Sequence, residues 1–278
     1  MTTPALHYPW LLLFLLPLCT CAPPAGERTD GPLTLTRDSL SLTVDPARGG
    51  RIVSLRYGTT ELLQTDADSA GYTTGSVAWT SPQRDWNWPP PATFDRDPYT
   101  VQQVEDYSVL LISARDSLTG LQLQKRYRLG PDSDVGLTYW LTNQGDSTIA
   151  AAPWEVTRLP YAGTLTFFSD SVRFEPPADL LESRDSLHTL YLDDRHTAKG
   201  KLFASLDSIP AVYVRDGLVL EKHTVVTDFY RVAPEHAPLE IYIDPARGFA
   251  EFELQGDLRT LGYGETTTLR TRWVVRRE

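Results

Sequence analysis

Only two cysteines occur in the 278 residues, Cys19 and Cys21. The chain beyond them can therefore form no internal disulfide and carry no thiol chemistry. Basic residues are also few, 26 Lys and Arg against 36 Asp and Glu, for a net charge of -10. That balance excludes the basic footprint of a nucleic-acid-binding protein, and no polybasic run offers itself to anionic lipid. Five histidines are present, His7, His188, His196, His223 and His236, and none stands at ligand spacing from another, so a histidine metal site is not expected. Gly-rich phosphate loops, His-Glu-x-x-His and Gly-x-Ser-x-Gly are all missing, which removes the commonest nucleotide, zinc-protease and serine-hydrolase machinery. No cofactor is implied. Sustained helical periodicity is missing as well.

Long apolar runs are confined to the N-terminus. Trp10 to Leu16 is far shorter than the roughly 20 residues that span a bilayer and has the character of a signal-peptide core. Leu18-Cys19-Thr20-Cys21 resembles a bacterial lipoprotein processing site, with Cys21 as the lipidated residue; the alternative is an ordinary secretory signal. Residues 1–21 are thus expected to be a leader. Residues 22–32, rich in Pro, Gly and charge, form a tether, and 33–278 form a single domain. The expected location is the periplasm or the outer membrane, with contact to membrane only through the N-terminal lipid.

What fills the domain is alternation of apolar and polar residues. Ser39 to Val44, Arg51 to Tyr57, Thr100 to Glu105, Tyr107 to Ala114, Leu121 to Leu129 and Val135 to Thr142 read as strands separated by Asp-, Gly- and Pro-bearing turns. Further strands follow to Val275, about 14 to 17 in all, so the fold class is all-β, a large antiparallel β-sandwich. Glu175 to Lys201 reads as a long excursion with at most one short strand. Val44-Asp45-Pro46-Ala47-Arg48-Gly49 returns as Ile243-Asp244-Pro245-Ala246-Arg247-Gly248, which is explained by a shared turn, Pro fixing one corner and Gly supplying positive φ.

Against this background Val77 to Pro91, VAWTSPQRDWNWPPP, stands out: it holds Trp79, Trp86 and Trp88 of the seven tryptophans. Its prolines exclude regular helix and predict a stiff loop displaying the rings. Such rings, with Gln83 beside them, either wall a ligand cleft or plug one end of the sandwich. Elsewhere, polar residues interrupt apolar strands: Glu155 and Arg158 in one, Glu251, Glu253 and Gln255 in another. Period-two geometry sets the latter three on one face. That face lines a cleft, with Glu253 as a general base, or meets water.

The segments Leu42 to Leu63 (LTVDPARGGRIVSLRYGTTELL) and Glu251 to Trp273 (EFELQGDLRTLGYGETTTLRTRW) resemble the opening hairpin and closing strands of the galactose mutarotase-like superfamily, which includes aldose 1-epimerases. Trp79-Thr80-Ser81-Pro82-Gln83 with Trp88-Pro89-Pro90, Trp154 to Arg158, and Phe252 to Gln255 are similar to its DUF4380 branch. The resemblance implies a galactose mutarotase-like supersandwich that binds a carbohydrate as a monomer. In the epimerases a late-strand Glu takes the anomeric proton and a His protonates the ring oxygen. Glu253 matches the Glu, whereas the tryptophan loop and the Glu155 strand hold no His. Glu155 is the substitute acid if mutarotation survives, Arg158 the ligand anchor, and Lys222, Glu240 and Tyr242 further cleft residues. The alternatives are sugar binding without catalysis, an active epimerase, and a structural envelope lipoprotein that binds no sugar.

Overall fold

The computed structural model describes residues 1, 31–65, 73–176, 180–205, 208–224 and 231–278. The leader, Cys21 and the tether up to residue 30 lie outside the described residues. Two antiparallel sheets face each other. An 11-stranded sheet runs through Arg51–Tyr57, Ser76–Ser81, Ile149–Pro160, Phe249–Gln255, Leu239–Asp244 and Gly200–Ala204 at its centre. A 10-stranded sheet opposes it, with Leu218–Thr224, Thr266–Arg277, Asp134–Asn143 and Leu121–Leu129 at its centre. This is the expected sandwich. Among the described residues no helix is long and apolar enough to cross a membrane.

Alternation explains the packing. In Leu121–Leu129 every odd-numbered residue is buried while the even ones reach outward. Each fully buried Leu contributes about 2 kcal/mol from lost contact with water. Thr100–Glu105, Ser108–Ile112, Leu121–Leu129 and Asp134–Asn143 pair in chain order, the expected meander. The excursion after Glu175 is more ordered than expected: Leu181–Arg184 and Leu187–Leu192 form a hairpin that extends the 10-stranded sheet. Its charged outer residues conceal the alternation because it lies at a sheet edge, where one face stays wet. The two copies of the hexad make related turns that differ in detail, the second closing as a 3-10 turn at Pro245–Arg247. Asp45 Oδ1 accepts from the Ala47 amide and Asp244 Oδ1 from the Arg247 amide, and Gly49 and Gly248 both have φ of 71°. Gly49 is fixed by space too, because a Cβ there would meet the Asp95 carbonyl oxygen at 2.2 Å.

Ile149–Pro160 is the strand that positions the site, with nine consecutive buried residues. Its neighbours cover both faces, so alternation sends Glu155 and Thr157 toward the opposing sheet and Trp154, Val156 and Arg158 away from it. Glu155 and Lys222, both expected in the cleft, instead meet between the sheets. Lys222 Nζ donates to Glu155 Oε1 at 2.6 Å, Thr157 Oγ1 at 2.7 Å and the Phe252 carbonyl at 2.9 Å. Glu155 also accepts from Thr271 Oγ1 at 2.6 Å and Trp273 Nε1 at 3.2 Å. Burial lowers the Lys222 pKa, and the facing Glu155 opposes that shift. Every proton of the ammonium is engaged, so the pair fixes how the sheets stack and is closed to a ligand.

Lys222→Met leaves Glu155 without its counter-ion in the core and is expected to destabilise the protein by about 3–5 kcal/mol in urea unfolding. Adding Glu155→Leu should recover most of that loss. A single variant as stable as wild type would show that the pair does not pin the sheets.

Candidate functional site

The outer face of the 11-stranded sheet carries three rows of side chains set by strand register. Trp79, Trp154 and Gln255 form the first; Val77, Val156, Glu253, Glu240 and Phe203 the second; Arg158, Glu251, Tyr242 and Lys201 the third. Over this face lies a cavity of about 390 Å³, lined by Trp79, Trp88, Trp154 and Phe249 together with Thr73, Gln83, Lys201, Tyr242, Arg247 and Glu251.

The tryptophan segment is not wholly loop: Ser76–Ser81 is a buried strand, and a 3-10 turn follows at Gln83–Asp85. Trp79 therefore projects from the sheet itself. Its ring meets Trp154 at 5.3 Å, Trp88 at 6.0 Å and Trp86 at 6.2 Å, all edge to face, a favoured quadrupole arrangement. Three indole N–H groups are directed: Trp79 to Asp95 Oδ1 at 2.9 Å, Trp86 to the Thr80 carbonyl at 2.9 Å, Trp154 to Glu253 Oε2 at 2.8 Å. Trp86 buttresses the wall from behind, whereas Trp88, 57% exposed, presents its ring at the mouth.

Beneath the cavity sits a charge cluster. Lys201 Nζ reaches Glu240 Oε2 at 2.6 Å and Glu253 Oε2 at 3.0 Å and lies 4.8 Å from the Trp154 ring centre. Burial disfavours its charge, but Glu253 and Glu240 outweigh burial and raise its pKa above the ordinary lysine value. For Glu253 burial prevails over Lys201, and Glu240 and Glu251 add repulsion, so its pKa is pushed up to about 8. Burial acts the same way on Glu240, yet Lys201 and His236 more than offset it and the pKa is lowered. Glu253 Oε1 has no hydrogen-bond partner among the described residues.

His236 is the residue that reasoning from sequence missed. It lies far from the tryptophans in sequence, yet its Nε2 accepts from the Gln83 amide at 3.2 Å, so the proton belongs on Nδ1, which faces Glu240 Oε1 at 2.9 Å. Both nitrogens are committed, and Trp154 stands against the ring at 5.0 Å. His236 ties the tryptophan segment to the carboxylates but offers no proton to the cavity. Lys201 was also missed, since it opens a strand hidden in the supposed excursion.

The residues expected together thus divide. Trp79, Gln83, Trp88 and Tyr242 line the cavity, and Arg158, Glu240 and Glu253 lie on the same face, under it. Trp86 supports it, and Glu155 and Lys222 point the other way. Among the described residues no group of three or more His, Cys, Asp or Glu is placed to hold a metal ion.

A folded-state pKa above the unfolded one means that Glu253 holds its proton after the unfolded chain has released it. Its contribution to stability is full below the ordinary carboxylate range and declines as pH rises toward 8. Carboxyl-carbon NMR of wild type against Glu253→Gln is expected to assign Glu253 a midpoint near 8. A midpoint close to the usual value of about 4.3 would mean that Lys201, not burial, governs this carboxyl.

The fold is shared with several solved structures. A candidate aldose 1-epimerase of Escherichia coli K12 superposes with a TM-score of 0.65 at 19% identity, covering 89% of this chain and 99% of that one. A galactose mutarotase-like protein of Lactobacillus casei ATCC 334 gives a TM-score of 0.65 at 14% identity, covering 88% and 100%. An aldose epimerase homologue of C. elegans gives 0.58 at 11%, covering 89% and 99%. No curated protein matches the sequence. The profile of the family described as a domain of unknown function, DUF4380, matches residues 31–276, and the chain, a galactose mutarotase-like sandwich, belongs to that family.

Proposed function

We propose that the protein binds a carbohydrate in the tryptophan-walled cavity and does not interconvert its anomers. The observation that carries this reading is the pairing of an aromatic wall with a polar floor on which, among the described residues, Glu253 has no second acid or base free to work with it. Trp79, Trp88 and Trp154 offer flat apolar faces to a sugar ring, while Gln83, Tyr242 and Glu251 offer hydrogen bonds at its edge. Ring opening needs a base and an acid at the same moment. His236 has both nitrogens engaged, Lys201 holds its proton more tightly than an ordinary lysine, and Glu155 is sealed in the core.

One observation favours the second reading, an active epimerase: Glu253 combines an unpartnered oxygen with a pKa near 8, suited to proton transfer at neutral pH. Calorimetric titration with a sugar panel, alongside polarimetry of freshly dissolved anomers, separates the two. The binding reading expects affinity without acceleration of mutarotation, and a loss of roughly fivefold or more in affinity for Trp88→Ala, the value of one stacked ring. Acceleration that disappears in Glu253→Gln would establish the epimerase instead, and absence of any sugar binding would leave the structural envelope role.

We also propose that the protein is exported and anchored by lipid on Cys21, a reading that rests on the short apolar run ending at that residue. Cys21→Ser is expected to move the protein from the membrane fraction to the soluble fraction of cells. Retention on the membrane would contradict the anchor.

A further inference from the structure

Arg158 is the most conspicuous buried polar side chain of the outer face whose hydrogen bonding is incomplete among the described residues. It is 0% exposed, and its Nε donates to Glu251 Oε1 at 2.9 Å. Both terminal nitrogens lack a hydrogen-bond partner among the described residues. Four N–H groups buried without acceptors are costly, and a buried guanidinium with a single one-point carboxylate contact is under-compensated as well. The position is not an isolated core site. Arg158 begins the row that continues through Glu251, Tyr242 and Lys201, all three of which line the cavity, and its guanidinium lies 4.8 Å from the ring centre of Trp79, another lining residue.

Surrounding charge sharpens the deficit. Arg51 lies close enough that, after burial, the charge of Arg158 is the largest influence lowering its pKa to about 10. Arg51 consumes Asp95, donating to its carboxylate at 2.9 Å and to the Thr74 carbonyl at 2.8 Å. Glu240 and Glu253 are taken by Lys201. Among the described residues none of these carboxylates donates an oxygen to the open side of the Arg158 fork.

We propose that the missing partner is a ligand carboxylate, so that the cavity takes an acidic sugar, a hexuronate, with its carboxylate on the paired terminal nitrogens of Arg158. The inference rests on the reading of the cavity as a sugar site. A planar two-oxygen anion matches the guanidinium fork, which a hydroxyl does not, and such bidentate pairs are the strongest hydrogen bonds available to arginine. The aromatic wall then takes the ring face. Because the nitrogens are covered in this structure, capture includes a shift of the wall that Trp79 forms over them.

The test compares sugars that differ only at C6: glucose, galactose and mannose, each with its uronate, the methyl ester of that uronate and its 6-phosphate, titrated into the full-length protein at low salt. In at least one series the uronate is expected to bind roughly 10- to 100-fold tighter than the neutral sugar and the ester. Arg158→Gln should abolish the preference, and Arg158→Lys should keep part of it. If the Gln variant fails to fold, the wild-type contrast between uronate and its uncharged ester decides. Equal affinities, a preference that survives in Arg158→Gln, or a preference for the 6-phosphate would each overturn the proposal while sugar binding stands. Failure of every sugar to bind would overturn both.

Discussion

Everything distinctive about this molecule depends on one strand, Ile149–Pro160, being buried on both faces. Period-two geometry then allows no compromise: residues three apart in sequence, Glu155 and Arg158, must point in opposite directions. One direction leads into the space between the sheets, where Glu155 meets Lys222 and four further donors or acceptors complete the pair. The other leads to the outer face, where Trp154, Val156 and Arg158 lie beneath the cavity. A single strand thus supplies the pin of the sandwich and the floor of the site.

The same parity accounts for how much of the site was legible in the sequence. Alternation was strong enough to give the sandwich, the meander and the common face of Glu251, Glu253 and Gln255. It was equally capable of separating Glu155 from Arg158, since their odd spacing sets them on opposite faces. What alternation cannot supply is which face is the outer one, because a strand covered on both sides is apolar throughout and polar residues become the exceptions on either face. His236 and Lys201 were illegible for a different reason. Their roles arise from contacts across 153 and 52 positions of chain, to Gln83 and Glu253, and no local pattern encodes such meetings.

The outer face concentrates buried charge to an unusual degree, and its chemistry follows from how those charges are paired. Lys201 holds two carboxylates at once, which secures Glu240 as an anion and leaves Glu253 with a pKa near 8. His236 locks the tryptophan segment to the same cluster. A site assembled this tightly is preorganised to present rings and dipoles to a ligand. The price is proton mobility: His236 is hydrogen-bonded at both nitrogens and Lys201 is made less acidic by its carboxylates, which leaves Glu253 without a partner in proton transfer. Binding without anomer exchange is the consistent reading of that arrangement, and the fork of Arg158 is left open beside it.

The central claim is that the outer face of the larger sheet, between the tryptophan segment and the row from Arg158 to Lys201, is where a sugar sits. A crystal structure of the protein soaked with the tightest-binding sugar tests this most directly. The account predicts a pyranose ring against Trp88 or Trp154, within hydrogen-bonding reach of Gln83 and Tyr242, with the sheets on either side unmoved. A sugar bound elsewhere, with this cavity filled only by solvent, would contradict it.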